Sequence, residues 1–403
     1  MSSQNRRGLK HLFSFTSALV AVFGAATVAA AHDLRGAITL QAAYTGDVQG
    51  AVGGAGVRAG RYLDNLDLIA DVDLEKGMGW KGAQLHGYLL SNSGGAPNDV
   101  VGTLQGVDNI EVSRPRGRLF ELWLQQTLPD GRTSMLAGLY NLNSEFYVND
   151  SAAMLIAPPF GIGSELAATG PNGPSIFPST ALGVRLDRRL GETGYVRVAV
   201  LNAKSGVVGD TEGVDLSFDD GALTIAEAGV QGPLRLGVGA WRYTNRQPDI
   251  RDLTPAGDPV RRRAYGAYVL GERRLFGDDE TRSGTAFFRV GISDGDTTPF
   301  NGGWQVGLKV ERVFAARPDS AVSIGVHQGR LDGKYKDNLR DAGPRPAGSE
   351  TGVELTYSDR LTSRVSLQPD LQWIHGAGGE ANARDRWVVG LRLKIDLSPA
   401  SGG

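Results

Sequence analysis

The chain has 403 residues, 41% hydrophobic and 21% charged, with a formal net charge of −2. That balance excludes the basic footprint of a nucleic-acid binder and the repeated long apolar runs of a helical membrane protein. Cysteine is absent, which removes disulfides and thiolate metal sites, while 57 glycines suit many turns and a wall where small residues alternate with large ones. The first element is a leader. Arg6, Arg7 and Lys10 precede "HLFSFTSALVAVFGAATVAAA", which closes on Ala29-x-Ala31. A basic head, an apolar middle and a small-residue site predict a secretory signal peptide over 1–31, cut near Ala31. A membrane anchor is the alternative, because an uncharged run of about 20 residues approaches spanning length. The Ala and Gly content and the cleavage site favour the signal, leaving 32–403 as a single domain.

After the leader the hydropathy has a period of two. In "NLDLIADVDLE", Leu66, Leu68, Ala70, Val72 and Leu74 share one face, and Asn65, Asp67, Asp71 and Asp73 the other. "GWQVGLKVERVF", "VSLQPDLQW" and "RWVVGLRLKIDLS" repeat the scheme at 303–314, 365–373 and 386–398. This is the pattern of strands with one oily and one polar face. Strands are predicted near 38–44, 62–74, 81–90, 118–127, 133–141, 180–187, 194–201, 222–230, 233–243, 263–271, 284–293, 302–312, 320–328, 350–358, 363–373 and 386–397. That is about 16, an even number. Short turns such as "LPDGR" and "VQGP" alternate with long polar segments at 91–117, 142–179, 202–221, 244–262, 329–349 and 374–385. Strict short–long alternation is a property of transmembrane barrels, with tight turns on the periplasmic side and long loops outside. The fold class expected is therefore all-β, a transmembrane antiparallel barrel. Its oily stripes face lipid, and Arg392, Lys394 and Asp396 face a wet interior.

Candidate chemistry is sparse. Gly54-x-Gly56-x-x-Ala59 matches a dinucleotide fingerprint in letters, but it lies between two strand patterns and lacks the strand–helix context. No P-loop, zinc-type histidine spacing or G-x-S-x-G occurs, so no catalytic residue, metal site or cofactor is expected. His86, His327 and His375 read as wet wall or loop positions, and His32 as the new terminus. Segment 142–179 holds acids and amides beside an apolar stretch, Met154 to Phe160, that an exposed loop seldom keeps in water. The expectation is a loop folded into the barrel that narrows the channel; a lid packed on other external loops is the alternative. In "SRPRGRLFELWLQQ", Arg118 stands at the mouth of a strand, and Glu121, Trp123 and Gln125 alternate on its inner face. Arginines, carboxylates and an inward aromatic suit a sugar, whose hydroxyls donate and accept and whose C–H faces stack on rings.

These segments resemble the carbohydrate-selective outer-membrane porin family, OprB type, from about residue 36 to 397. The likeness is carried by "DVDLEKGMGWKGAQLH" at 71–86, "RLFELWLQQ" at 118–126 and "SEFYVNDSAAMLI" with the following "FG" at 144–161. It continues in "GPSIFPSTALGVRL" at 173–186, "ALTIAEAG" at 222–229, "ELTYSDRLTSRVSLQPDLQWI" at 354–374 and "VVGLRLKI" at 388–395. The resemblance implies passive sugar uptake through a sixteen-stranded barrel with a narrow, charged constriction in the outer membrane of a Gram-negative bacterium. Arg118, Glu121, Trp123, Glu145, Asp150 and Arg185 lie in matching segments, and face and loop position make them the expected pore lining. The implied partners are small carbohydrates, outer-membrane lipid and the barrel-insertion machinery. No nucleic acid is expected, and the chain shows no seam that would decide monomer or homo-oligomer. One departure is the end, "DLSPASGG", where such barrels commonly finish on an aromatic residue. The competing readings are a general or anion-preferring porin, an outer-membrane hydrolase and a secreted β protein.

Overall fold

The computed structural model describes residues 36–52, 59–211 and 213–399. The leader, His32 and most of the glycine fingerprint at 54–59 lie outside the described residues.

Alternation becomes structure directly. The first strands are β1 (Ile38–Val52), β2 (Gly60–Asp73), β3 (Ala83–Gly94), β4 (Gly117–Thr127), β5 (Thr133–Tyr140) and β6 (Ala181–Leu190). Then come β7 (Gly194–Asn202), β8 (Ala222–Val230), β9 (Leu234–Tyr243), β10 (Gln247–Leu253), β11 (Pro259–Arg262) and β12 (Tyr265–Phe276). The chain ends with β13 (Ser283–Ser293), β14 (Phe300–Glu311), β15 (Ala321–Leu331), β16 (Ser349–Arg360), β17 (Val365–His375) and β18 (Arg386–Asp396). Sixteen of these form one closed antiparallel ring in which each strand pairs with its neighbours and β18 returns to β1. All sixteen expected ranges overlap a barrel strand. The two additional strands, β10 and β11, form a separate hairpin, in a segment expected to be plain loop.

The faces are inverted relative to a soluble protein. Leu40, Val184, Val238, Ile292 and Leu391 are exposed, while Asp47, Arg185, Glu227, Arg289, Glu354 and Arg392 are each at most 4% exposed. An apolar outer band requires an apolar medium, and charged groups inside require partners. Among the described residues no helix is long and apolar enough to cross a membrane. Aromatic pairs mark both rims: Trp373 lies opposite Trp387 toward the long-loop end, and Phe314 meets Tyr357 edge-on toward the other.

Turns at one end are short. In 128–132 the Asp130 carboxylate accepts the N–H groups of Arg132 and Thr133, and Gly131 takes φ +62°, which only glycine adopts without cost. At the other end lie 95–116, 141–180, 203–221, 244–264, 332–348 and 376–385, but also a short link, 294–299. The alternation is thus not strict. The sequence pattern overstated it because loop length follows what a loop covers, not its parity.

A second departure is local. The pairing of β3 with β4 slips by one residue: Tyr88 faces Glu121, but Leu89 faces Leu119, so Phe120 bulges out of register. The slip puts Arg118 and Glu121 both on the inside, although their parity would separate them.

Apolar cores lie between the inner wall and the inward segments. Leu142, Phe146, Tyr147 and Leu166 pack on Leu201, Leu223, Tyr243 and Leu270. Leu155 and Phe160 pack with Phe287, so the Met154–Phe160 stretch rests on the wall as expected. Val101 and Val107 do the same against Ile374 and Val388. Glycine makes room: a Cβ on Gly325 would come within 2.5 Å of the Phe160 ring.

Candidate functional site

Segment 141–180 crosses the interior, and charged wall groups hold its backbone. Arg289 donates to the carbonyls of Tyr147, Pro159, Phe160 and Gly161. Glu227 accepts from the Tyr147 N–H and from the Tyr195 and Tyr268 hydroxyls. Glu272 accepts from the Asp150 and Ser151 N–H groups, and Glu354 from those of Ile156 and Ala157. Charged groups on β8, β12, β13 and β16 are thus engaged in holding this loop. Segment 95–116 is inward too, which the sequence reading missed. Glu350 accepts its Leu104 and Gln105 N–H groups, Gln372 donates to the Val107 carbonyl, and Arg392 reaches Asn109. The signal was present in Val100, Val101, Leu104, Val107, Ile110 and Val112, apolar residues scattered through the loop.

The wall from β2 to β6 carries a continuous run of polar and aromatic side chains. On β4 the Trp123 indole stacks on the His86 ring of β3, with centroids 4.5 Å apart and planes 11° apart. Its Nε1 donates to Glu121 at 3.1 Å, and Glu121 also accepts the Asn141 N–H at the start of the inward loop. His86 Nδ1 lies 2.8 Å from Asp71, which also accepts from Gln84. One rung further, the Tyr88 hydroxyl donates to Asp67 at 2.6 Å, and Asn65 donates to the same carboxylate. Beside this ladder Arg185 grips Glu145 with two donors, Nε at 2.8 Å and Nη2 at 2.9 Å. Its remaining donors go to Gln125 and Ser134, so its planar fork is saturated. Tyr140 also donates to Glu145.

Of the six expected lining residues, four come together. Glu121 and Trp123 are joined directly, as are Glu145 and Arg185, and Gln125, two residues beyond Trp123 on β4, accepts from Arg185. Arg118 does not join them. It is 5% exposed, and its guanidinium donates to the Pro178 and Arg114 carbonyls, tying loop to loop. Its neighbour Arg116 holds Asp210 with two bonds and keeps that carboxyl below the ordinary carboxylate range. Asp150 also lies elsewhere: its side chain is open to solvent, 3.4 Å from Arg235 on β9, not across from Trp123. Sequence reasoning missed the stacking of His86 on Trp123, because cross-strand neighbours depend on register and not on period.

Mixed charges, amides and aromatics in one passage suit a neutral polar solute more than a single-signed ion. The family model for carbohydrate-selective porins, OprB family, matches residues 58–397. Porin B of Pseudomonas aeruginosa is 22% identical over 375 residues, covering 84% of this chain and 82% of that protein. A solved structure of Pseudomonas putida OprB at high pH superposes with a TM-score of 0.80 at 21% identity, covering 90% of this chain and 95% of its own. The outer membrane channel DcaP of Acinetobacter baumannii superposes at 0.54 and 12% identity, covering 89% of this chain and 97% of its own.

Proposed function

Because the chain belongs to the OprB family of carbohydrate-selective porins, we propose that it passes small sugars by diffusion, selected along the β2–β6 wall. Its site of action is the Gram-negative outer membrane, and the driving force is the concentration gradient alone. The observation that carries the reading is the ladder Asp67–Tyr88, Asp71–His86, Glu121–Trp123, with Arg185–Glu145 beside it. It offers a moving sugar acceptors, donors and aromatic surface in succession. Each contact is weak enough to release the solute, because the polar groups already satisfy one another. Loop 141–180 is the constriction in this reading, and Glu121, Trp123, Glu145 and Arg185 are the lining. The leader is removed near Ala31, and lipid and the insertion machinery are the other partners.

Liposome swelling tests it. Monosaccharides should enter faster than uncharged polyols of the same size, and Trp123→Ala should lower that preference with a smaller change in salt conductance. Rates that follow solute size alone in both proteins would instead make the channel a general porin.

A further inference from the structure

The two inward loops are braced on one strand. On the inner face of β16, Glu350 and Glu354 lie two rungs apart, 0% and 1% exposed. Glu350 accepts Leu104 N–H at 2.9 Å, Gln105 N–H at 3.0 Å and, from the 376–385 loop, Gly378 N–H at 2.9 Å. Glu354 accepts Ile156 N–H at 2.5 Å and Ala157 N–H at 2.8 Å. Between them, at Gly352, a Cβ would come within 2.1 Å of His327 Nε2. His327 in turn meets the Phe160 ring edge-on at 5.3 Å. The loops also touch each other. Ser164 Oγ donates to Gln105 Oε1 at 3.2 Å, Asn109 donates to the Leu155 carbonyl, and Pro158 lies against Gly106.

We propose that Glu350 and Glu354 are positioning residues which lock loops 95–116 and 141–180 into one unit, and that this unit sets the width and selectivity of the passage. A carboxyl group accepting two or three backbone N–H groups fixes where those peptides sit, because each bond is directional and shielded from water. Two such clamps on one rigid strand fix the spacing between loops that are separate in sequence. Neither carboxylate touches the solute in this scheme. The inference rests on the sugar-passage reading for its selectivity half only.

The test uses the full chain in liposomes and planar bilayers. Glu350→Gln and Glu354→Gln keep shape and one acceptor oxygen, but turn an amide donor toward a backbone N–H. The chain is free of cysteine, so G106C/P158C introduces the sole thiol pair. A Cβ at 106 lies 3.9 Å from Pro158 Cβ, within the disulfide range, at a φ of +80° that costs a little strain. Each glutamine variant should raise conductance and lower the monosaccharide-to-disaccharide rate ratio by about threefold or more, and the double variant should be no worse than the stronger single one. Oxidising the 106–158 pair should restore the ratio in either single variant, because the freed loop is then held through its neighbour, but not in the double variant. Independent effects that multiply in the double variant overturn the proposal. So does an oxidised cross-link that leaves a single variant at its reduced value. If the glutamine variants do not give heat-resistant barrels, the wild-type background decides. Oxidised G106C/P158C should conduct like the reduced form, and any change in conductance or ratio rejects a preformed unit. Wild-type swelling without sugar preference would sink the sugar reading, while the conductance cycle would still decide the brace.

Discussion

Arg289→Met should release the middle of the inward loop. Arg289 is 0% exposed on β13, and its two terminal nitrogens donate to four loop carbonyls, three of them at 2.6, 2.8 and 3.0 Å. Its guanidinium also lies 5.1 Å from the Tyr147 ring centre. Four bonds at the low end for a charged donor, about 1.5 kcal/mol each, would sum to about 6 kcal/mol. The loop can instead leave the wall and let its carbonyls find lumen water, so the loss saturates. A loss of about 3–5 kcal/mol, short of the full sum, is therefore expected. At about 1.4 kcal/mol per tenfold, that is two to three orders of magnitude in the population of the released loop. Single-channel recording should show a larger conductance, and the size cutoff in swelling should rise. Segment 141–180 contains no Lys or Arg, so chymotrypsin is the protease of choice: it should cut after Phe146, Tyr147 or Phe160 in the variant and spare the wild type. Arg289→Lys keeps the charge but loses the planar fork, and should fall between the two. A folded Arg289→Met barrel with wild-type conductance and chymotrypsin resistance would refute the reasoning.

Two further outcomes follow from the described contacts. Leu391→Arg puts a charge on the outer face midway along β18 and should cost about 2–4 kcal/mol of barrel stability, whereas Gln41→Arg, on the inner face of β1, should cost little; heat-dependent gel mobility reads both, and equal tolerance would reverse the face assignment. Outside the barrel, Lys334 joins the β10–β11 hairpin to the 294–299 turn through Asp249, Asp252 and Asp296. Burial opposes ionisation of Asp249, but Lys334, the Asp252 and Arg251 N–H groups and Arg262 outweigh it and hold the carboxyl at about 2. A depressed value stabilises the clasp above the ordinary carboxylate range, and the stabilisation is lost as pH falls toward 2. Hydrogen exchange over 247–262 should therefore stay slow in mildly acidic buffer and become fast at neutral pH in Lys334→Met; unchanged protection in the variant would remove the clasp.

The strands were legible because each face meets a different medium along its whole length. An apolar medium outside Leu391 and polar partners around Arg392 impose the period of two directly on the residues. Position inside the ring was legible for Glu121, Trp123 and Arg185 for the same reason. What alternation cannot carry is register. The slip at Phe120 depends on how β3 meets β4, so the inward turn of Arg118 was beyond parity, and its carbonyl partners at 114 and 178 belong to loops with no period. Loop 141–180 announced itself by a continuous oily stretch. Loop 95–116 interrupts the same kind of residue, Val100, Val101, Leu104, Val107, Ile110 and Val112, with polar residues and glycines, so its burial was missed. The β10–β11 hairpin was missed because Asp249, Arg251, Asp252 and Arg262 make it polar on both faces, and polar loops and polar hairpins look alike in sequence.

Closure of β18 on β1 has a consequence for the order of events in assembly. Arg392 and Asp47 meet at 2.6 and 2.9 Å across 345 positions of chain, both nearly inaccessible. Contacts so distant in sequence form late and slowly, because the entropy of closing the loop is lost before any contact returns it. The last strand is also a parity check. Barrel neighbours alternate in direction, so without β18 the exposed strands β17 and β1 run the same way and cannot seal with the antiparallel ladder that every other joint uses. A chain cut short by one strand has no smaller ring to fall back on: it keeps two open edges, and Asp47 faces no cation. The wall is complete only when the β18–β1 joint is made.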